Sequence, residues 1–179
     1  AFAAGPALLI ILCLLLRRFT SFKTPSEAIQ SLAKIVTYAM IANVFFFMLE
    51  VFTAFYSNIP GHMAALKYLF VGLEGHNNLV PFMWTAAVLA FLGIILLLIP
   101  KMRRNETVLT GALVSVFVAA WLDKGLGLVL GGFVPNAFDH ITEYVPTATE
   151  LTVILGVYAI GFLLLTILYK VLIAVREQV

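Results

Sequence analysis

Charge is what this sequence has least of. Only 11% of its 179 residues are Asp, Glu, Lys or Arg, against roughly a quarter in an ordinary soluble domain. With 63% hydrophobic residues and a mean hydropathy of +1.07, most of its surface cannot be solvated by water. Lipid is the expected solvent. Cysteine is nearly absent too, since Cys13 stands alone. A single thiol excludes an internal disulfide, a CxxC redox pair and the four-cysteine ligand set of an iron–sulfur cluster. In its apolar run Cys13 reads as a small buried hydrophobe. No Walker A loop, HExxH or GxSxG occurs, so phosphate-loop, zincin and serine-hydrolase chemistry have no foothold. None of the three histidines, His62, His76 and His140, falls in mid-span, and a bis-histidine haem inside a helical bundle is therefore not expected. The chain is predicted to carry no haem, iron–sulfur cluster or metal of its own. The net charge of +2 is too small to indicate a partner.

What the sequence has instead is long apolar runs: about 2–16, 35–57, 80–99, 108–130 and 151–172. Each ends in a polar, charged or Pro/Gly break. A helical span needs roughly 20 residues, so four runs suffice and the first is short. Arg17 and Arg18 follow that first run instead of preceding it, the wrong order for a cleaved signal peptide. It reads as a helix entered part-way, in the C-terminal part of a longer protein. The predicted fold is an all-α integral membrane bundle of about five transmembrane helices, a single transmembrane domain over 1–179.

The placement of lysine and arginine sets the expected orientation, because cytoplasmic loops are enriched in both. Arg17, Arg18, Lys23 and Lys34 lie between the first two spans, Lys101, Arg103 and Arg104 between the third and fourth, and Lys170 and Arg176 at the end of the fifth. The connections 58–79 and 131–150 contain only Lys67. These two loops are expected outside the cytoplasm, and the C-terminus inside it.

Helix starts are legible in three places. Thr24-Pro25-Ser26-Glu27 and Thr147-Ala148-Thr149-Glu150 have the spacing of capping boxes, the first with proline at the first helical position. Pro81 fits the first turn of the third span. The fourth span carries small residues every four places, Gly111, Ser115, Ala119, Gly127 and Gly131, with Asp123 on the same stripe. Such stripes let helix backbones approach closely in lipid.

Ionisable residues inside spans are costly, by roughly 2.5–3.5 kcal/mol on insertion scales, and so direct attention to function. There are three: Glu50, Asp123 and Lys124. Asn43, Glu50 and Ser57 are seven apart and share a helix face, which makes Glu50 either a proton-carrying carboxylate or part of an interhelical contact. Asp123 faces protein on the small-residue stripe. Lys124 points about 100° away, either snorkelling outward or pairing with Glu50 or another carboxylate. His76, in Gly75-His76-Asn77-Asn78 just before the third span, is expected at the outer membrane edge near the depth of Glu50 and Asp123. There the free N–H groups of a helix start suit a polar head group. His62 and His140 read as plain loop residues. This cluster at the non-cytoplasmic side suits proton exchange with a lipid-soluble carrier or an ion path, and the residues alone do not choose. An anchor for soluble partners is a further reading. Against a transporter, no paired Gly/Pro-interrupted helices are evident.

Several stretches resemble the NrfD-type family, the membrane subunits of polysulfide reductase-like enzymes. They are IVTYAMIANVFFFMLE from Ile35 to Glu50, FYSNIPGH from Phe55 to His62, GHNNLVP from Gly75 to Pro81 and WLDKGLGL from Trp121 to Leu128. FVPN from Phe133 to Asn136 and EYVP from Glu143 to Pro146 add to them. The order and spacing of these stretches along nearly the whole chain are most similar to the NrfD-like subunit of the Dsr transmembrane complexes of sulfate reducers. The resemblance implies about eight to ten transmembrane helices, of which this chain would be the C-terminal half, in a prokaryotic inner membrane. It implies a haem-free menaquinone site near the periplasmic face. It further implies electron exchange between the menaquinone pool and a periplasmic iron–sulfur subunit, within a complex that also holds a c-type cytochrome and other membrane subunits and serves dissimilatory sulfur metabolism. Asn43, Glu50, His76, Asp123 and Lys124 are then candidates for the quinone site or its proton path.

Overall fold

The structure, a computed structural model, describes residues 2–19, 25–132, 134, 141 and 147–177. All regular structure among them is helical: α1 Ala4–Phe19, α2 Ser26–Tyr56, α3 Pro60–Phe70, α4 Val80–Leu98, α5 Pro100–Arg103, α6 Glu106–Leu122 and α7 Ala148–Glu177. From Asp123 to Leu130 the end of α6 widens into a π-helical segment. Among the described residues, four helices are long and apolar enough to cross a membrane: α2, α4, α6 with its π-helical extension, and α7. The chain is thus a multi-pass, all-α membrane protein. The 16-residue α1 is shorter than a span, as its sequence indicates. Residues 1–143 form one compact unit and 144–179 another.

In the first unit α4 packs most extensively on α6, while α1 and α2 close the other sides of the bundle. The core contains Ala7 and Ile10 of α1, Ala33, Val36 and Met40 of α2, Ala90, Ile94 and Leu97 of α4, and Leu109, Ala112, Leu113 and Val116 of α6. Alanines at these positions let backbones come close, and dispersion contacts then supply the attraction that water would supply elsewhere. Gly93 marks the tightest point: a Cβ there would lie 2.7 Å from Val116 Cγ2 and 3.4 Å from the Ala112 carbonyl oxygen. Large apolar side chains such as Phe45, Phe46, Phe52, Val88, Phe91 and Ile95 point outward, as a lipid solvent permits.

One end of this bundle is basic and polar. Arg17 at the close of α1 donates to Glu106 in the first turn of α6 at 2.8 Å. Arg103 and Gln30 bond reciprocally: the Gln30 amide donates to the Arg103 carbonyl at 2.9 Å and Arg103 Nε donates to Gln30 Oε1 at 3.2 Å. Arg103 Nη1 also donates to the Leu97 carbonyl at 3.1 Å. α6 opens on Asn105, whose side chain accepts from Thr107 N at 3.1 Å, satisfying one of the free donors of a helix start.

Helix boundaries differ from expectation in identifiable ways. Thr24 lies outside the described residues, and Pro25 is the residue before the helix instead of its first member: its ψ of 133° is extended and α2 begins at Ser26. The connection 58–79, expected as a loop, contains α3. Asn58 takes a left-handed φ of 50°, which asparagine tolerates after a helix end, and Pro60 then starts the new helix. α3 and α4 are joined by a tight reversal in which Leu73 and His76 exchange backbone hydrogen bonds of 2.9 and 3.3 Å. Glu74 and Gly75 at its centre have φ of 49° and 88°, the positive pair that such two-residue turns require.

The second unit is described through α7. Its capping box is realised: Thr147 N and Oγ1 both donate to Glu150 Oε2, at 2.7 and 2.8 Å, and Glu150 N donates back to Thr147 Oγ1 at 3.4 Å.

Candidate functional site

At the end of the first unit opposite the basic cluster, α2, α3, α4 and the π-helical segment surround a cavity of about 480 Å³. Its volume falls within the roughly 300–1,000 Å³ usual for small-molecule sites. Glu50 and Thr53 of α2 line it, with His62, Leu66 and Leu69 of α3, Met83 of α4, and Asp123, Lys124 and Gly127 of the π-helical segment. Four ionisable side chains from three elements thus share one space. Asp123 lies 17 residues beyond Glu106, about 26 Å along a helix at 1.5 Å per residue, which places the cavity near the far edge of a hydrocarbon layer of roughly 30 Å.

The inner boundary of the cavity is Phe47, Met83 and Asp123. These same three residues border a narrower crevice of about 70 Å³, otherwise lined by Met40, Asn43, Val44, Phe70, Ala87 and other apolar groups. The carboxylate therefore stands where a polar chamber meets an apolar slot.

Asp123 is held there by local geometry. Gly127 and Gly131 follow it at four-residue spacing and pack directly on neighbours: a Cβ at Gly127 would lie 2.9 Å from Met83 Cε, and one at Gly131 2.9 Å from Leu69 Cδ1. The small-residue stripe acts as a contact face from Ala119 onward, whereas Gly111 has open space around it. The π turn begins at Asp123 itself. Wide turns of this kind leave backbone groups misaligned and recur at functional sites.

The charges are paired in an unexpected way. Lys124 Nζ lies 3.0 Å from Asp123 Oδ2, the side chains being 47% and 20% exposed. Lys124 therefore pairs with its sequence neighbour, not with Glu50. The contact lacks hydrogen-bond alignment, so Asp123 Oδ2, which is closed to solvent, has no hydrogen-bond partner among the described residues. Glu50 is exposed to the cavity and forms no ion pair among the described residues.

The other sequence candidates divide. Asn43 shares the α2 face with Glu50 but borders the inner crevice, not the larger cavity. His76 lies in the α3–α4 turn, where its backbone bonds to Leu73, and it is not among the residues lining the cavity. His62, expected as a plain loop residue, sits in the first turn of α3 and lines the cavity. The signal for it was Asn58-Ile59-Pro60, a helix stop followed by a helix start. His140 lies outside the described residues, as do Phe133, Pro135, Asn136 and the stretch 143–146. No cluster of three or more metal-ligating side chains occurs among the described residues.

An aromatic bracket fixes α3. Phe70 contacts Phe47 and Trp84 at ring separations of 5.6 and 5.9 Å, and Trp84 Nε1 donates to the Phe70 carbonyl at 3.0 Å. Comparison with protein-family models, with curated proteins and with solved structures finds no match to this chain.

Proposed function

We propose that this chain is the quinone-interacting part of a membrane redox complex, exchanging protons with a menaquinol-type carrier at the 480 Å³ cavity. One observation carries the reading: a carboxylate at the junction of a polar chamber and an apolar slot, whose solvent-closed oxygen has an ion-pair contact with Lys124 but no hydrogen bond. A prenylated quinone has matching halves, a ring whose oxygens gain and lose protons and a tail that dissolves in lipid. Glu50 and Lys124 would flank the ring, with His62 beyond them at the outer rim, and Asp123 would take or give the proton. Phe47, Met83 and the crevice behind them would meet the apolar part.

The NrfD-type resemblance and the one-sided distribution of lysine and arginine support a fuller version. In it the basic end faces the cytoplasm of a prokaryotic cell, and the cavity opens toward the periplasm. An iron–sulfur subunit docked there takes or supplies the electrons, in a complex with a c-type cytochrome and linked to sulfur metabolism. When bound, the quinone supplies the redox chemistry; this chain's residues bind it, orient it and move its protons.

The test is made on the complex purified in nanodiscs. Bound quinone is extracted and identified, and quinol-dependent electron transfer is measured in Glu50→Gln and Asp123→Asn. Bound menaquinone and loss of transfer in both variants are expected. Unchanged electron transfer and proton uptake in both would refute the reading. A preparation that retains its partners but holds no quinone would favour an anchoring role.

A further inference from the structure

The two sides of the cavity offer a proton very different prospects. Inward of Asp123 the crevice walls are Met40, Val44, Phe47, Phe70, Met83, Ala86 and similar groups, with Asn43 as the other polar side chain. None of these can take up a proton from a carboxylic acid. Outward, Glu50 comes from α2, His62 from α3 and Lys124 from the π-helical segment, while α4 contributes Met83 and no titratable group. A proton accepted at Asp123 therefore leaves across the outer rim. Of the groups there, histidine is the side chain suited by its chemistry to cycle between charge states near neutral pH. Its two ring nitrogens also allow uptake on one and release from the other. α3 fixes the position of this histidine. The helix is locked at its far end by the Phe47–Phe70–Trp84 bracket and by buried Tyr68 and Leu69. His62 is exposed at its near end, where the cavity meets water.

We infer that His62 is the water-side proton-exchange group of this cavity, a role that rests on the quinol reading above. Each quinol oxidised to quinone loses two electrons and two protons. The electrons pass to the iron–sulfur partner. As each O–H bond breaks, its proton goes to the Asp123 carboxylate, crosses the cavity through water to the imidazole, and leaves from the other ring nitrogen to bulk solvent. Asp123 and His62 return to their starting states, and no bond to the substrate forms. Glu50 and the Asp123–Lys124 pair set the electrostatic surroundings of the imidazole.

The experiment uses the whole complex in nanodiscs with a water-soluble menaquinol analogue. It compares His62→Ala and His62→Gln with the unsubstituted protein, reading analogue binding, turnover at saturating quinol and the pH profile. The expected result is unchanged binding with turnover slowed about tenfold or more, within the range for a lost acid–base group. The pH profile of turnover should flatten relative to that of the unsubstituted complex. Free imidazole should restore turnover in His62→Ala, because it can enter the open rim. Intact binding with unchanged turnover and pH profile would overturn the inference and leave the quinol reading standing. A slowing that imidazole does not relieve would also overturn it, since that marks a structural effect. An unsubstituted complex that neither binds nor oxidises the analogue would remove the quinol reading and this inference together.

Discussion

Gly93 offers the most direct test of how the bundle is built. Replacing it with alanine places a methyl carbon 2.7 Å from Val116 Cγ2, 3.4 Å from the Ala112 carbonyl oxygen and 3.5 Å from Val116 N. The two backbone distances are tolerable, but the methyl contact is not. Its relief needs a shift of about 1 Å to reach ordinary carbon–carbon separation. Val116 is fully buried and β-branched, so its methyl cannot rotate away without leaving its preferred rotamer. α4 and α6 must therefore part, and overpacking of this kind costs about 1–3 kcal/mol. Val116→Ala alone opens a cavity and costs a comparable amount. In the double variant the new methyl occupies the space that Val116 vacates, so the combined cost should fall below the sum of the single costs by about 1–2 kcal/mol. Unfolding in mixed micelles, followed by helical circular dichroism, gives all four corners of this cycle. Full additivity, or a Gly93→Ala variant as stable as the parent, would refute the close approach of α4 and α6.

Gln30→Ala should cost about 1–2 kcal/mol in the same assay, because it strips a half-buried guanidinium of its reciprocal partner. By contrast, Glu106→Gln should cost under about 1 kcal/mol and lose even that at high salt, since the Arg17–Glu106 pair is solvent-exposed and such pairs contribute little. Thr147→Ala should destabilise the first turn of α7 by about 0.5–2 kcal/mol, visible as faster amide exchange at residues 149–151; unchanged exchange would mean the capping box contributes nothing.

How much of this could be read from the sequence depended on the length scale of the signal. Span positions were legible because each rests on some twenty apolar residues, and α2, α4, α6 and α7 lie where those runs lie. The capping box at Thr147 was legible because it is a local backbone requirement. α3 was missed because an 11-residue interfacial helix carries neither a span-length apolar run nor a long polar face. That omission displaced the site: with 58–79 taken as loop, His76 seemed the residue near Glu50, whereas helical α3 brings in His62. The sequence left open whether Lys124 pairs with Glu50 or with another carboxylate, and the structure selects Asp123. A regular α-helix turns adjacent side chains about 100° apart, and the sequence carries no local signal for the widening that begins at Asp123.

Asp123 separates a structural reading of the site from a functional one. A carboxylate retained for packing would be expected to satisfy both oxygens, since an unsatisfied buried acceptor costs about 1–3 kcal/mol. Here Oδ2 is closed to solvent and, apart from the unaligned Lys124 contact at 3.0 Å, lacks a hydrogen bond, on a segment whose α-helical ladder is interrupted at that point. Replacement by leucine removes the desolvated charge, and the chamber in front of the residue has room for the branched side chain. It leaves no stranded partner either, because Lys124 is half exposed and can extend its ammonium group to water. Asp123→Leu should therefore leave the bundle as stable as the parent or raise its stability by about 1–3 kcal/mol, in line with the insertion cost of a membrane-embedded carboxylate. The same substitution should abolish quinol-dependent turnover. Thermal unfolding and turnover measured on one preparation decide the matter. A loss of stability that accompanies the loss of turnover would show that the carboxylate holds the helices together, whereas a gain of stability with a loss of turnover is the signature of a residue kept for its chemistry.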